Sequence, residues 1–204
     1  MPGVKGQLQA RGVERRRAIV DAAIEHFARE GYRGTGIAAI AEQAGVTTGG
    51  LLHHFGSKEG LLVEVLRRRD QEALAAFEAM GTGSVADDLA LWVDVATWNE
   101  DRKPLAALHS MLQAESIDEE HPARAYFTDR NRAAFELLRS TLRRGVESGE
   151  LRADVDVAAK AAEIQAFVEG AVLLWLHAPE RGGLARLFRS YFDDQLTLLR
   201  SSST

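Results

Sequence analysis

Apolar residues recur along the chain at intervals of three and four positions, the spacing that places them on one face of an α-helix. In residues 14–30 this pattern aligns Val20, Ala23 and Phe27. Gly31 follows at the point where a helix commonly ends in a left-handed residue. The same periodicity continues through most of the sequence without a convincing strand, so we predict an all-α fold.

A short second helix is predicted at residues 37–44, IAAIAEQA, whose apolar positions follow the i, i+3, i+4, i+7 pattern. Thr35 or Gly36 lies where its N-terminal cap is expected, and Gly45 ends it.

A third short helix follows at once. Thr47 can cap it by accepting a hydrogen bond from the backbone N–H of Gly49 or Gly50, while Leu51 and Phe55 turn inward. Each glycine inside a helix costs about 0.5–1 kcal/mol relative to alanine, so the pair indicates close approach of another molecule to the backbone. Two short helices joined by a tight turn, the second capped by threonine, form the helix-turn-helix layout, in which the second helix enters the major groove of DNA.

A fourth helix is predicted from Ser57, its cap, to about Met80. Further amphipathic stretches occupy residues 84–99, 104–117, 122–148, 156–177 and 184–199, which gives about nine helices in all.

Charge divides the chain unevenly. Residues 1–69 contain eleven Lys and Arg against seven Asp and Glu, whereas residues 70–204 contain fourteen against twenty-three. A basic N-terminal part on an acidic remainder favours binding of a polyanion by the N-terminal part.

The sequence contains no motif that indicates an enzyme, a metal-binding protein or a membrane protein. No two of its six histidines have the i, i+3 or i+4 spacing of helical zinc ligands, and the common nucleophile-elbow and phosphate-loop motifs do not occur. We therefore expect no enzyme, catalytic residue, metal or cofactor. The chain has no cysteine, and its most apolar run, residues 170–176, is too short to span a bilayer, so we expect a cytoplasmic protein without a membrane partner.

The string TGIAAIAEQAGVTTGGLLHHFGSKEGLL, residues 35–62, resembles the DNA-binding signature of TetR-type transcriptional regulators. The resemblance covers residues 14–66 in detail. It implies a three-helix DNA-binding domain at residues 1–57 and a helical effector-binding and dimerisation domain at residues 58–204.

By this resemblance, the core of the motif consists of Ile37, Ile40, Ala41, Val46, Leu51 and Phe55. The positions that commonly face bases are Thr48, Gly49, Gly50, His53 and His54, and those that contact phosphates are Thr35, Thr47 and Lys58.

Two residues depart from the family pattern. Leu52 stands where a phosphate-bonding tyrosine is usual, and Gly36 stands where many members have a capping Ser or Thr, so capping would fall to Thr35. Phosphate anchoring then depends more on Lys58 and on a basic N-terminal arm containing Lys5, Arg11, Arg15, Arg16 and Arg17. The alternative for these arginines is a solvated helix face.

The helices predicted at residues 156–177 and 184–199 are apolar on two faces, and both faces need to be buried. One face can pack on a second copy of the chain in a two-fold four-helix interface, as the resemblance also implies; a monomer with a thicker core is the alternative. A dimer would present two recognition helices to an approximately palindromic duplex operator.

The resemblance further implies that the C-terminal domain binds a small-molecule effector, with the helix from Lys58 linking the pocket to the DNA-binding domain. The candidate pocket residues are Trp92, Trp98, His109, Met111, Phe127, Phe135, Phe167 and Trp175. Plain core packing is the competing explanation for each of them.

The sequence thus predicts a homodimeric transcriptional regulator that binds operator DNA and is modulated by an effector. It favours a repressor over an activator. The alternative is a helical small-molecule-binding protein whose DNA-binding domain is vestigial.

Overall fold

The computed structural model describes the backbone of residues 4–74 and 83–200 and the side-chain surroundings of residues 10–73 and 83–200. Within these ranges the chain forms nine α-helices and no strand. They are α1 (Val4–Gly34), α2 (Ile37–Gln43), α3 (Thr48–Phe55), α4 (Lys58–Leu74), α5 (Val85–Asp101), α6 (Lys103–Glu115), α7 (Arg124–Glu147), α8 (Val157–His177) and α9 (Leu184–Leu199). The predicted all-α class is confirmed. The predicted end of α4 near Met80 lies outside the described residues.

The helices belong to two compact units. The first comprises the described residues up to Asp70 together with Met111–Arg124, and the second comprises the described residues of Gln71–Ser110 and those from Ala125 onward. By chain order the segment 111–124 follows α5 and most of α6, yet its contacts assign it to the first unit.

Helix α1 is longer than the periodicity indicates. It begins at Val4 rather than near residue 14, so the predicted N-terminal arm is helical where it is described. Gly31 has the predicted left-handed backbone, with φ of 72°, and kinks the helix before its last turn. Val20, Ala23 and Phe27 are buried as predicted.

The turn between α2 and α3 follows from one glycine. Gly45 has φ of 66°, a conformation that favours glycine, and the N–H of Val46 returns to the carbonyl of Ala41 at 2.9 Å. Helix α3 then starts at the predicted cap, where Thr47 Oγ1 accepts from the Gly50 N–H at 3.0 Å.

Ser57 opens α4 in a similar way, since its Oγ accepts from the N–H of Gly60 at 3.1 Å. The side chains of Leu61, Leu62 and Leu66 are buried, as the apolar stripe predicts.

The second unit has one continuous apolar core, in which α5 and α8 pack against α9. A glycine permits one close contact: a Cβ atom on Gly145 of α7 would lie 2.5 Å from Val85 of α5 and 2.8 Å from Leu151. Asp88 is buried beside these helices, where it accepts from Thr141 at 3.2 Å and pairs with Arg144. A buried carboxylate needs such partners, because an unpaired charge in a core is strongly unfavourable.

Carboxylates from other elements satisfy two helix N-termini of this unit. Glu150 accepts from the N–H of Val85 at 2.9 Å, and Glu100 accepts from the N–H of Ala185 at 3.3 Å. Negative charge at these positions also complements the helix dipoles of α5 and α9.

Over the described residues, the helices are all too short or too polar to serve as a membrane span.

Candidate nucleic-acid interface

The outer surface of α3 carries the side chains predicted to face bases. Thr48, His53 and His54 are exposed, as is the backbone at Gly49. The two imidazole rings meet edge-on with their centres 5.9 Å apart. This eight-residue helix therefore presents hydroxyl and imidazole groups, which can donate and accept hydrogen bonds at base edges.

The two glycines at the start of α3 have different surroundings. A Cβ on Gly49 would meet no atom within 4 Å, whereas a Cβ on Gly50 would lie 3.2 Å from Thr47 Oγ1. Gly50 thus leaves space for the capping hydroxyl, and Gly49 leaves the outer surface of the helix open.

Arg16 joins α1, α3 and α4. Its guanidinium lies over the ring of Phe55 at 5.1 Å and pairs with the carboxylate of Glu64. The hydrogen bond from Arg16 holds the pKa of Glu64 below its usual range, and the same bond raises the pKa of Arg16. Arg16 therefore has an internal structural partner, and Arg15 beside it is exposed.

Lys58, the predicted phosphate ligand at the start of α4, is partly exposed, and its Nζ lies 4.6 Å from the ring centre of Tyr32. The Tyr32 hydroxyl donates to Glu59 Oε1 at 3.2 Å. Burial, together with the neighbouring Glu59 charge, raises the pKa of Tyr32 to about 12. The bond from Ser57 is the main reason that the pKa of Glu59 lies below its usual value.

Thr35, predicted to contact a phosphate, is not exposed at the surface. Its side chain is buried, and its hydroxyl donates to the carbonyls of Gly31 at 2.8 Å and His26 at 3.2 Å. Nor does it cap α2: Gly36 is the N-cap residue, and no side chain bonds there. The kink at Gly31 leaves carbonyls near the end of α1 without helical partners, and the Thr35 hydroxyl donates to them instead of facing DNA.

Two close contacts that fix this surface have no signal in the sequence. A Cβ on Gly60 of α4 would overlap the carbonyl oxygen of Phe55, so α3 and α4 meet at van der Waals distance only without a side chain there. Arg68 of α4 pairs with Asp21 of α1 at 2.8 Å. Local periodicity indicates neither contact. The Arg68–Asp21 pair joins residues distant in the chain, and the Gly60–Phe55 contact depends on the path of the turn between α3 and α4.

Four of the eight candidate effector residues, Trp92, Phe135, Phe167 and Trp175, belong to the core of the second unit or pack against it. Phe127 is buried and meets His109 edge-on at 5.1 Å, while Phe167 stacks on Tyr191 with ring centres 3.6 Å apart. Trp92 and Phe135 contribute to the core of the second unit.

The remaining three candidates have different surroundings, although Trp175 shares the core of the second unit with Trp92. Met111 is exposed and belongs to the first unit, Trp98 stacks with Arg102, and Trp175 lines a surface groove of the second unit. The groove is completed by Leu174, Ala178, Arg181, Gly182, Gly183, Arg186, Leu187 and Ser190. Across the described residues, no group of three His, Cys, Asp or Glu side chains is arranged to hold a metal ion.

A capped recognition helix with an exposed polar surface, preceded by a short helix and flanked by cationic side chains, defines a helix-turn-helix DNA-binding protein. Residues 19–65 match the family model described as bacterial regulatory proteins, tetR family, and residues 99–197 match that of the BetI-type transcriptional repressor C-terminal domain. The chain belongs to the TetR family of bacterial regulatory proteins, which confirms the resemblance seen in the sequence.

Individual relatives agree. The chain is 30% identical over 147 residues to the HTH-type transcriptional repressor KstR2 of Rhodococcus jostii, covering 70% of this chain and 71% of that protein. The structure of FadR from Bacillus subtilis in complex with stearoyl-CoA is 25% identical, with a TM-score of 0.75 over 92% of this chain and 99% of FadR.

SmeT, the repressor of a multidrug efflux pump in Stenotrophomonas maltophilia, shares the fold at 22% identity and a TM-score of 0.77, over 92% and 91% of the two chains. The matched family model identifies this chain as a DNA-binding transcriptional regulator, and the relatives named above include transcriptional repressors.

We predict that Gly60→Ala destabilises the DNA-binding unit by about 1–3 kcal/mol, because the added methyl group overlaps the Phe55 carbonyl and forces a backbone shift. Urea unfolding followed by circular dichroism measures the change. Gly49→Ala is the matched control, since its methyl group enters open space in a helix and is expected to stabilise by about 0.5–1 kcal/mol. Equal stability of the two variants would contradict the close contact.

Proposed function

We propose that the protein binds a two-fold-related duplex operator as a homodimer in the cytoplasm, with one α3 from each copy in the major groove. In each copy, Thr48, His53 and His54 contact base edges, and the open backbone at Gly49 and Gly50 allows close approach. Lys58 and Thr47 contact phosphates, joined by Arg15 on α1.

The observation that carries this proposal is the exposed polar surface of α3. Its inner side is fixed by buried Leu51 and by Phe55 under Arg16, while its outer side keeps Thr48, His53 and His54 accessible. Phosphate contacts fix register and base contacts give sequence preference, so the two sets of residues are expected to behave differently when changed.

We predict that Lys58→Ala weakens binding to every duplex, and that the slope of log affinity against log salt falls by about 0.9 for each phosphate that the variant leaves unneutralised. His54→Ala is expected to cost about 1–3 kcal/mol on the preferred operator and to relax the preference at one base position. Fluorescence anisotropy on duplexes enriched from a random pool, titrated at several salt concentrations, measures both effects.

Arg152→Ala serves as the charge control, because it removes one exposed cation from the second unit. If Lys58→Ala and His54→Ala both bind as the unaltered protein does, the alternative of a small-molecule-binding protein with a vestigial DNA-binding domain is supported instead.

For the dimer, we propose that α8 and α9 pack on their counterparts in a second copy. Leu173, Leu174, Leu187 and Leu198 support this: they are 43% to 67% exposed on these two helices, although their neighbours fill the core. Two of them, Leu174 and Leu187, line one groove of the second unit, and exposed apolar side chains on adjoining helices are typical of a surface that another molecule covers.

Leu173→Glu is accordingly expected to convert the dimer to a monomer, because Leu173 does not line the groove that contains Arg181 and Arg186 and the interface would bury its new carboxylate. Analytical ultracentrifugation measures the mass, and Ile117→Glu is the control, since Ile117 is 78% exposed but belongs to the first unit. A chain that sediments as a monomer before any substitution would refute the proposed interface.

For the effector, we propose a largely apolar molecule bound by the second unit, near Phe127 and the adjoining His109. The buried pair supports this proposal, because a buried imidazole beside an apolar ring provides a polar partner for one end of a mostly apolar ligand. The FadR structure contains stearoyl-CoA, in which an apolar acyl chain is joined to an anionic coenzyme A group.

Stearoyl-CoA is therefore the first probe. We expect it to raise the melting temperature, as any ligand specific for the folded state does, and to lower operator affinity. Coenzyme A without the acyl chain is the control. A melting temperature that responds equally to both, or to neither, would contradict an apolar effector of this type.

A further inference from the structure

Tyr32 contacts side chains from two other parts of the first compact unit. Nζ of Lys58 lies 4.6 Å from its ring centre, and its hydroxyl donates to Glu59 at the start of α4. The ring of His121, in the segment between α6 and α7, meets the Tyr32 ring edge-on at 6.1 Å. One aromatic ring thus touches both the proposed phosphate ligand and the segment that follows α6.

The contact with Lys58 restricts a flexible side chain. A lysine ammonium on its four-carbon stem loses rotamer freedom when it binds, and an aromatic face attracts that ammonium before any ligand arrives. Attraction to the ring face is electrostatic and leaves N–H donors of the ammonium available for a phosphate oxygen. Placement over the ring therefore prepares Lys58 for a backbone contact.

His121, which contacts the Tyr32 ring, is held in place by bonds within its own segment. Its side chain is 2% exposed, its Nδ1 accepts from the N–H of Ala123 at 3.2 Å, and its Nε2 lies 3.5 Å from a Glu115 carboxylate oxygen. Arg124 donates to the carbonyl of Ile117 at 2.7 Å and so closes the end of α6. The ring that meets Tyr32 therefore has a defined position.

We propose that Tyr32 positions Lys58 for the DNA backbone and that His121 sets the position of Tyr32. Residues 115–124 then control the strength of this phosphate contact, although they touch no DNA themselves. The inference rests on the phosphate-binding role proposed above for Lys58.

A double-mutant cycle tests it. Tyr32→Leu removes the aromatic face, Tyr32→Phe keeps the face and removes only the hydroxyl, and each is combined with Lys58→Ala. We expect Tyr32→Leu to lower the salt slope of operator binding by nearly as much as Lys58→Ala does, about 0.9 for each phosphate left unneutralised, and to add nothing in the Lys58→Ala background. Tyr32→Phe keeps the aromatic face, so its salt slope is expected to equal that of the unaltered protein.

A purely structural tyrosine would give a different result: Tyr32→Leu would weaken binding in both backgrounds at an unchanged slope. That outcome overturns the inference while the role of Lys58 stands. If Lys58→Ala itself leaves the slope unchanged, the phosphate-binding role fails first.

His121→Ala provides a second test that leaves Tyr32 in place. We expect it to lower the slope in the unaltered protein and to change nothing in the Lys58→Ala background, with thermal unfolding confirming that each variant is folded. An unchanged slope for folded His121→Ala overturns the proposal whether or not Tyr32→Leu folds.

Discussion

DNA binding by the first compact unit depends on how the eight-residue helix α3 is fixed in place. Helix α3 is too short to be stable alone, because isolated helices of this length do not overcome the cost of nucleation. Arg16 links its last residue, Phe55, to Glu64 of α4, and the absence of a side chain at Gly60 lets α4 start directly against the Phe55 carbonyl. The exposed histidines depend on these contacts for their orientation.

Local chemistry makes much of this unit predictable. The cap at Thr47, the cap at Ser57 and the left-handed glycines at 31 and 45 each follow from neighbours within four residues, and the structure has all of them. The periodicity of the five helices beyond residue 83 predicts their ends to within two residues, because their apolar stripes and their breaks are strong.

What the sequence does not predict depends on tertiary contacts. Thr35 is expected at the DNA surface, but the packing of the last turn of α1 buries it. Arg16 pairs across 48 positions, and the ring of His121 reaches Tyr32 from a distant part of the chain. No local pattern encodes such pairs. The same reason applies to the effector candidates, because aromatic residues at helical spacing indicate burial but not which of them meet around one cavity.

In the dimer that we propose, two copies of α3 read a two-fold-related duplex. Selection of bound duplexes from a random pool, followed by sequencing, tests it most directly. We expect an enriched consensus of two inverted half-sites whose centres lie about one helical turn apart or a multiple of it. A pool without enrichment, or a consensus with a single unpaired half-site, would contradict it.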